Sequence, residues 1–299
     1  MKIPSYASNI LRVVISVSLI GILLYTQNIE ELKSSLSSFN LVYLPLSLMF
    51  IIIGTYASSL RWQAILKASD VEIPSKNLFS YYLKGYFYNN FLPTQMGGDV
   101  YKAAAVGSQL KDQSVGFFSV FMDRFSGLLI LLTLALFGIS YYFGVKAVLI
   151  ILPFFILGLF LYFPILKIVS KKIKFFKKFY EASLVLVKDK KIGLTVLGLS
   201  MLVQVFSYLM TYMVFLGFGI HLTIKDVLLT MPVSSLSLLI PSINGLGAQD
   251  FAYANIFKLA AVSPTVSFSA SIVVHIIRLI LSLIGGSFIL FNFGVGTNK

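Results

Sequence analysis

The sequence predicts an all-α integral membrane protein: about six crossing helices plus two re-entrant, broken-helix hairpins arranged as an inverted repeat. Three observations carry this. Of 299 residues, 58% are hydrophobic and 12% charged; a soluble domain usually carries about a quarter charged residues, so one core cannot hide this apolar surface. Six runs approach or exceed the roughly 20 apolar residues that a helix needs to cross a core of about 30 Å. Two further stretches are too short to cross, and each is split by a polar break.

The crossing runs lie near residues 7–26, 41–66, 116–143, 147–166, 192–219 and 266–292. The first follows Lys2 and Arg12, and TQNIEELK comes after it without a small-residue cleavage pattern. It therefore reads as a retained helix, with Arg12 snorkelling to the surface. Leu166 to Lys191 holds nine lysines against Glu181 and Asp189, which makes it cytoplasmic by the positive-inside rule. Counting outward places both termini in the cytoplasm of a cell-membrane protein. Phe175, Phe176 and Phe179 among these lysines give two readings: an amphipathic helix drawn to anionic lipid, or a topology anchor alone. Trp62, beside Arg61, reads as an anchor at the inner surface.

The two short stretches are 78–110 and 224–262. The first is broken by NNFLPTQMGGD (Asn89 to Asp99), the second by IPSINGLGAQD (Ile240 to Asp250). Each break combines Pro, a hydroxyl residue, an amide, glycines and an Asp, and each leads into a helix-forming run. A crossing run stands on either side of each. The chain thus reads as one transmembrane domain, 1–299, with units about 41–143 and 192–292. A helix at 147–166 and the Lys-rich segment 167–191 link them. By the count of crossings, the units enter from opposite sides. Matched broken helices in inverted halves point to a transport site near the midplane, since lipid cannot satisfy irregular backbone there.

RWQAIL (Arg61 to Leu66), FLPTQMGGDVYKAAAV, MDRFSGLL (Met122 to Leu129) and IPSINGLGAQD together resemble the lysylphosphatidylglycerol synthase transmembrane region. This is the flippase-like domain of the multiple peptide resistance factor, which also occurs as stand-alone proteins. The resemblance covers nearly all of the chain. It implies a membrane protein that moves or handles lipids with charged or glycosylated head groups. The family's soluble aminoacyl-transfer domain is absent from this sequence, so the resemblance does not carry a synthase activity. Gln249-Asp250 departs from the Glu-rich pattern expected of relatives.

The residues themselves offer an anion site. Half-helices starting at Gly97, Gly98 and Asp99, and near Gly247, would aim backbone N–H groups at the midplane. Arg124 and Arg278 add guanidinium groups, whose planar fork suits phosphate. Gln95, Asn244 and Gly245 belong to the breaks. Asn89 and Asn90 read as partners for the broken backbone. Asp99 and Asp250 read equally as helix caps. Asp123 and Arg124, adjacent on one helix, diverge by about 100° and need separate partners; Asp123 with Arg278 is one possible bridge. Lys84 and Lys102 line the inner mouth or snorkel, and His275 is a packing residue or a proton relay.

With no cysteine and two histidines, His221 and His275, thiolate and histidine metal sites are excluded. No Walker-type loop is present, so transport would be passive or ion-coupled, and no cofactor is implied. The basic charge lies in a loop between crossing helices and is no nucleic-acid footprint. The sequence reads best as a flippase or scramblase for a lipid with a phosphate-bearing head group. A membrane-embedded head-group transferase, and an accessory subunit of a lipid- or glycan-synthesis enzyme, are the rival readings.

Overall fold

In the computed structural model, which describes Val14, residues 17–23, Tyr25 and residues 28–90, 97–240, 242 and 245–291, every element is helical. Helical residues 17–23 form α1, within the first apolar run; the remainder of 7–26 lies largely outside the described residues. Ile29–Ser37 (α2) follows, its first turn capped by the Asn28 side chain. Tyr43–Lys67 (α3), Gln113–Phe143 (α6), Lys190–Gly217 (α9) and Pro264–Leu290 (α12) are each long and apolar enough to span a membrane. Asp112, Asp189 and Ser263 cap the last three of these, which explains why the spans start where the apolar runs do.

The predicted run at 147–166 becomes Val145–Lys172 (α7), which continues past its expected end and takes Lys171 and Lys172 into its last turn. Basic residues there complement the negative end of the helix dipole. An extended residue, Ile173, then turns the chain into Lys174–Lys188 (α8). This is the predicted Lys-rich amphipathic helix, but much of its apolar face is covered by protein. Phe179, Ala182 and Leu186 are buried against Ile65, Phe118, Met122 and Val196.

The two short stretches fold as hairpins. The first pairs Ser75–Asn89 (α4) with Gly97–Gln109 (α5). At about 1.5 Å rise per residue, neither limb reaches across a core of about 30 Å. The limbs run antiparallel: Gly85 meets Gly98 near the tip, while Tyr81 reaches Gln109 near the base. A Cβ on Gly98 would lie 2.3 Å from the Gly85 carbonyl oxygen, so only two glycines allow this approach. The second hairpin pairs Ile224–Leu236 (α10) with Ala248–Ile256 (α11). A 3₁₀ turn follows each limb, at Ser237–Leu239 and Phe257–Ala260.

Helix α6 shows how the hairpins are placed. Its first turns meet the base of the first hairpin, where a Cβ on Gly116 would strike the Ala103 carbonyl. Its last turns meet the base of the second: Gly138 abuts Leu228, and the Tyr142 hydroxyl donates to the Leu259 carbonyl at 2.5 Å. The hairpins therefore approach from opposite ends of one spanning helix. Helix α4 also packs on α12, and α10 packs on α6. Both crossings turn on glycine: a Cβ at Gly285 would lie 1.9 Å from the Leu83 oxygen, and one at Gly138 2.3 Å from the Leu228 oxygen. Helices α3 and α9 pack along one another between these groups.

Candidate functional site

Buried polar groups concentrate where the two hairpins approach the middle of α6 and α12. At the first, charges alternate along a ladder. Arg61 of α3 meets Asp123 of α6 at 2.8 Å through Nε. Lys102 of α5 lies 3.7 Å from the other Asp123 oxygen and 3.0 Å from Asp99 Oδ1. The latter is an ion-pair contact without hydrogen-bond alignment. Asp99 Oδ2 in turn accepts from Arg124 Nε at 2.7 Å. The Tyr82 hydroxyl donates to Asp123, and its ring lies 3.9 Å below the Lys102 ammonium. Three cations thus face two carboxylates. All but one of these ionic side chains are at most 7% exposed; Arg124 is 59% exposed. The ladder ends in a guanidinium whose Nε is held while much of the group stays accessible.

The second hairpin builds a smaller cluster. The Gly247 N–H donates to Asp250 Oδ2 at 2.8 Å, and the Ser271 hydroxyl to Oδ1 at 2.6 Å. His275 Nε2 stands 3.0 Å from the same Oδ1. Arg278 donates to the neutral Gln249 side chain and makes no ion pair among the described residues. A cavity of about 410 Å³ opens beside this cluster. Asn90 from the first hairpin, Leu246 and Asp250 from the second, and His275 line it with Ile20, Phe268, Ile272, Ile276 and Leu279. The Asn90 amide also donates to Ser282 of α12, so both hairpins meet the same helix. A further cavity, about 420 Å³ along α7, has only apolar lining side chains and offers nothing to a head group.

Several sequence expectations change at this level. Two of the N–H groups expected to be free at the half-helix starts are engaged: Asn89 Oδ1 accepts from Gly98 at 2.7 Å, and Asp250 accepts from Gly247. A buried donor must find a partner, and the chain supplies its own. Asn89 thus serves the broken backbone as predicted, and Asp250 caps its helix as predicted. Asp99 pairs with Arg124 and Lys102; the residue that it would cap lies outside the described residues. The Asp123–Arg278 bridge does not form, because Arg61 takes Asp123. Trp62 is fully buried against Tyr81 and Tyr82 and is no interfacial anchor. Lys84, 4% exposed, does not snorkel, and it makes no ion pair among the described residues. Lys102 is likewise buried, inside the ladder. Gln95 and Asn244 lie outside the described residues, and Gly245 sits in the turn before α11.

Sequence reasoning passed over Arg61, Tyr82 and Ser271. An arginine within an apolar run was a signal available for Arg61; nothing local marks the other two, whose roles arise from contacts across helices. Comparison with known proteins finds membrane proteins. A UPF0104 membrane protein of Methanothermobacter thermautotrophicus is 24% identical, with 83% of this chain and 84% of that protein covered. The UPF0104 membrane protein MJ1595 of Methanocaldococcus jannaschii is 28% identical over 48% of this chain and 43% of its own length. The family described as "Lysylphosphatidylglycerol synthase TM region" matches residues 9–286. That match spans nearly the whole chain, and the chain belongs to this family of multi-pass integral membrane proteins.

Proposed function

We propose that the protein moves a lipid with a phosphate-bearing or glycosylated head group across the membrane, as a flippase- or scramblase-type transporter. The cavity between the hairpin tips carries this reading. Its walls are apolar and suit acyl or prenyl chains, while Asn90, Asp250 and His275 give it a polar side. Arg278 stands one turn beyond His275, hydrogen-bonded to the neutral Gln249 and without an ion pair among the described residues. Arg124 presents an accessible guanidinium on the other half. Guanidinium groups bind phosphate through paired hydrogen bonds.

In this reading the two hairpin units are an inverted repeat, supported by their approach from opposite ends of α6 and by the exchanged packing of α4 on α12 and α10 on α6. Rocking one unit against the other would open the polar region to each side in turn. The termini and the Lys-rich α8 then face the cytoplasm. The transferase reading would draw on Asp99, Asp123 and Asp250, but each is already held by cations or several donors. That favours structural and electrostatic roles over proton transfer to substrate.

The test is translocation of a fluorescent phosphatidylglycerol in liposomes, read by quenching of the outer leaflet. Arg124→Ala and Arg278→Ala are expected to remain folded and to slow translocation by about tenfold or more, the loss of one charge-assisted contact. Normal translocation in both variants would defeat these roles.

A further inference from the structure

The two Asp-centred contacts at the hairpins share a spacing. Asp99 and Arg124 are 25 residues apart, and so are Asp250 and His275. Asp99 is the third residue of α5, and Asp250 the third of α11. Counted from their capping residues, Asp112 and Ser263, Arg124 and His275 are both the twelfth residue on. At about 1.5 Å per residue, each lies about 18 Å along its helix, near mid-depth from opposite ends. Corresponding places thus hold a fixed cation in one half and an imidazole in the other. Imidazole is the side chain whose charge ordinarily changes between about pH 5 and 8.

We infer that His275 and Asp250 form a proton-binding site that couples occupancy of the cavity to proton uptake. The carboxylate accepts, so Nε2 carries the hydrogen toward Asp250, and the proton adds at Nδ1. The ring goes from neutral to singly positive, and the hydrogen bond becomes an ion pair like Asp99–Arg124. His275 lines the cavity and its side chain is 15% exposed, which gives protons a route. The groups set around it decide what the added charge does. From α11 come Asp250, already holding Ser271 and Gly247, and neutral Gln249 and Tyr253. From α12 comes Arg278, from α4 the neutral Asn90, Tyr86 beside Arg278 and, further along, the buried Lys84, and from α1 the apolar Ile20. Helices α2, α3 and α9 meet α12 through apolar packing that includes Leu32, Leu48 and Phe215. The charges of α2 stand at its exposed first turns. Protonation therefore adds one positive charge beside Arg278, with Asp250 the carboxylate in contact among the described residues. An anionic head group in the cavity would bind the protonated state more tightly and, by reciprocity, promote proton uptake. This consequence for transport rests on the proposed function; the proton site does not.

Two measurements separate these levels. The first uses the full chain in phosphatidylcholine–phosphatidylglycerol nanodiscs, labelled with ¹⁵N-histidine. His221→Gln, in an exposed loop, leaves His275 as the remaining histidine. The ring resonances are expected to move as pH is varied and to follow a different course in Asp250→Asn. Resonances that stay fixed, or that move identically in both proteins, would overturn the site. The second follows translocation of labelled phosphatidylglycerol against pH. The wild-type rate is expected to change by about threefold or more as pH is varied, and the profile to flatten in His275→Arg and His275→Gln. Translocation with one pH profile in all three proteins would overturn the coupling. A wild type that moves no lipid at any pH would instead overturn the transport reading, with the resonance titration still deciding the proton site.

Discussion

Arg61 and Asp123, 62 residues apart in sequence, meet at 2.8 Å with both side chains at most 7% exposed. Ser200 of α9 accepts from the same guanidinium at 3.3 Å, so three spanning helices are tied at this point. Asp123→Ala would leave Arg61 and Lys102 short of a counter-charge. Removing one partner of a buried pair costs about 3–5 kcal/mol. The variant is expected to lose much of its thermal stability in detergent, and Arg61→Gln with Asp123→Asn to recover part of it. Equal loss in the single and double variants would show that the pair itself is not what matters.

Glycine contacts rank a second set of variants. An alanine at Gly98, Gly138 or Gly285 would drive its methyl into a backbone carbonyl oxygen, whereas Gly158 and Gly198 have open space within 4 Å. Overpacking costs about 1–3 kcal/mol. Gly98→Ala, Gly138→Ala and Gly285→Ala should lower the melting temperature, and Gly158→Ala and Gly198→Ala should not. Similar melting in all five would refute the close packing of the hairpins.

Sidedness is directly testable, because the chain has no cysteine of its own. Asp70, Lys111, Lys225 and Lys258 are exposed at the bases of the two hairpins. In intact cells, a membrane-impermeant maleimide is expected to label Lys225→Cys and Lys258→Cys. Asp70→Cys, Lys111→Cys and Lys188→Cys should label only after permeabilisation. Opposite accessibility of Lys225→Cys and Lys258→Cys would mean that 224–262 crosses fully.

Helix α8 separates packing from charge. Phe179 is 7% exposed and lies 5.2 Å, centroid to centroid, from Phe118. Phe179→Ala should destabilise by about 3–5 kcal/mol. Lys177 is 67% exposed and 3.9 Å from Glu181; Lys177→Gln should change stability by less than about 1 kcal/mol. Thermal unfolding of both variants reads the difference. A Phe179→Ala variant as stable as wild type would return this helix to the lipid surface alone.

Composition and apolar runs determined the all-helical membrane class, four of the six expected spans and the position of both breaks. These are local consequences: a run of apolar residues must leave water wherever it occurs, and a polar stretch rich in Pro, Gly and Asn disfavours continuing a helix. Capping residues such as Asp112 and Ser263 set the helix starts for the same local reason. What only the tertiary structure decided was the choice of partner for each buried charge. Asp123 went to Arg61 rather than Arg278, the N–H of Gly98 went to Asn89 rather than staying free, and Trp62 went inside. A buried ion or donor takes whichever complementary group packing brings within about 3 Å, and that proximity joins residues tens to hundreds of positions apart, where no local pattern records it.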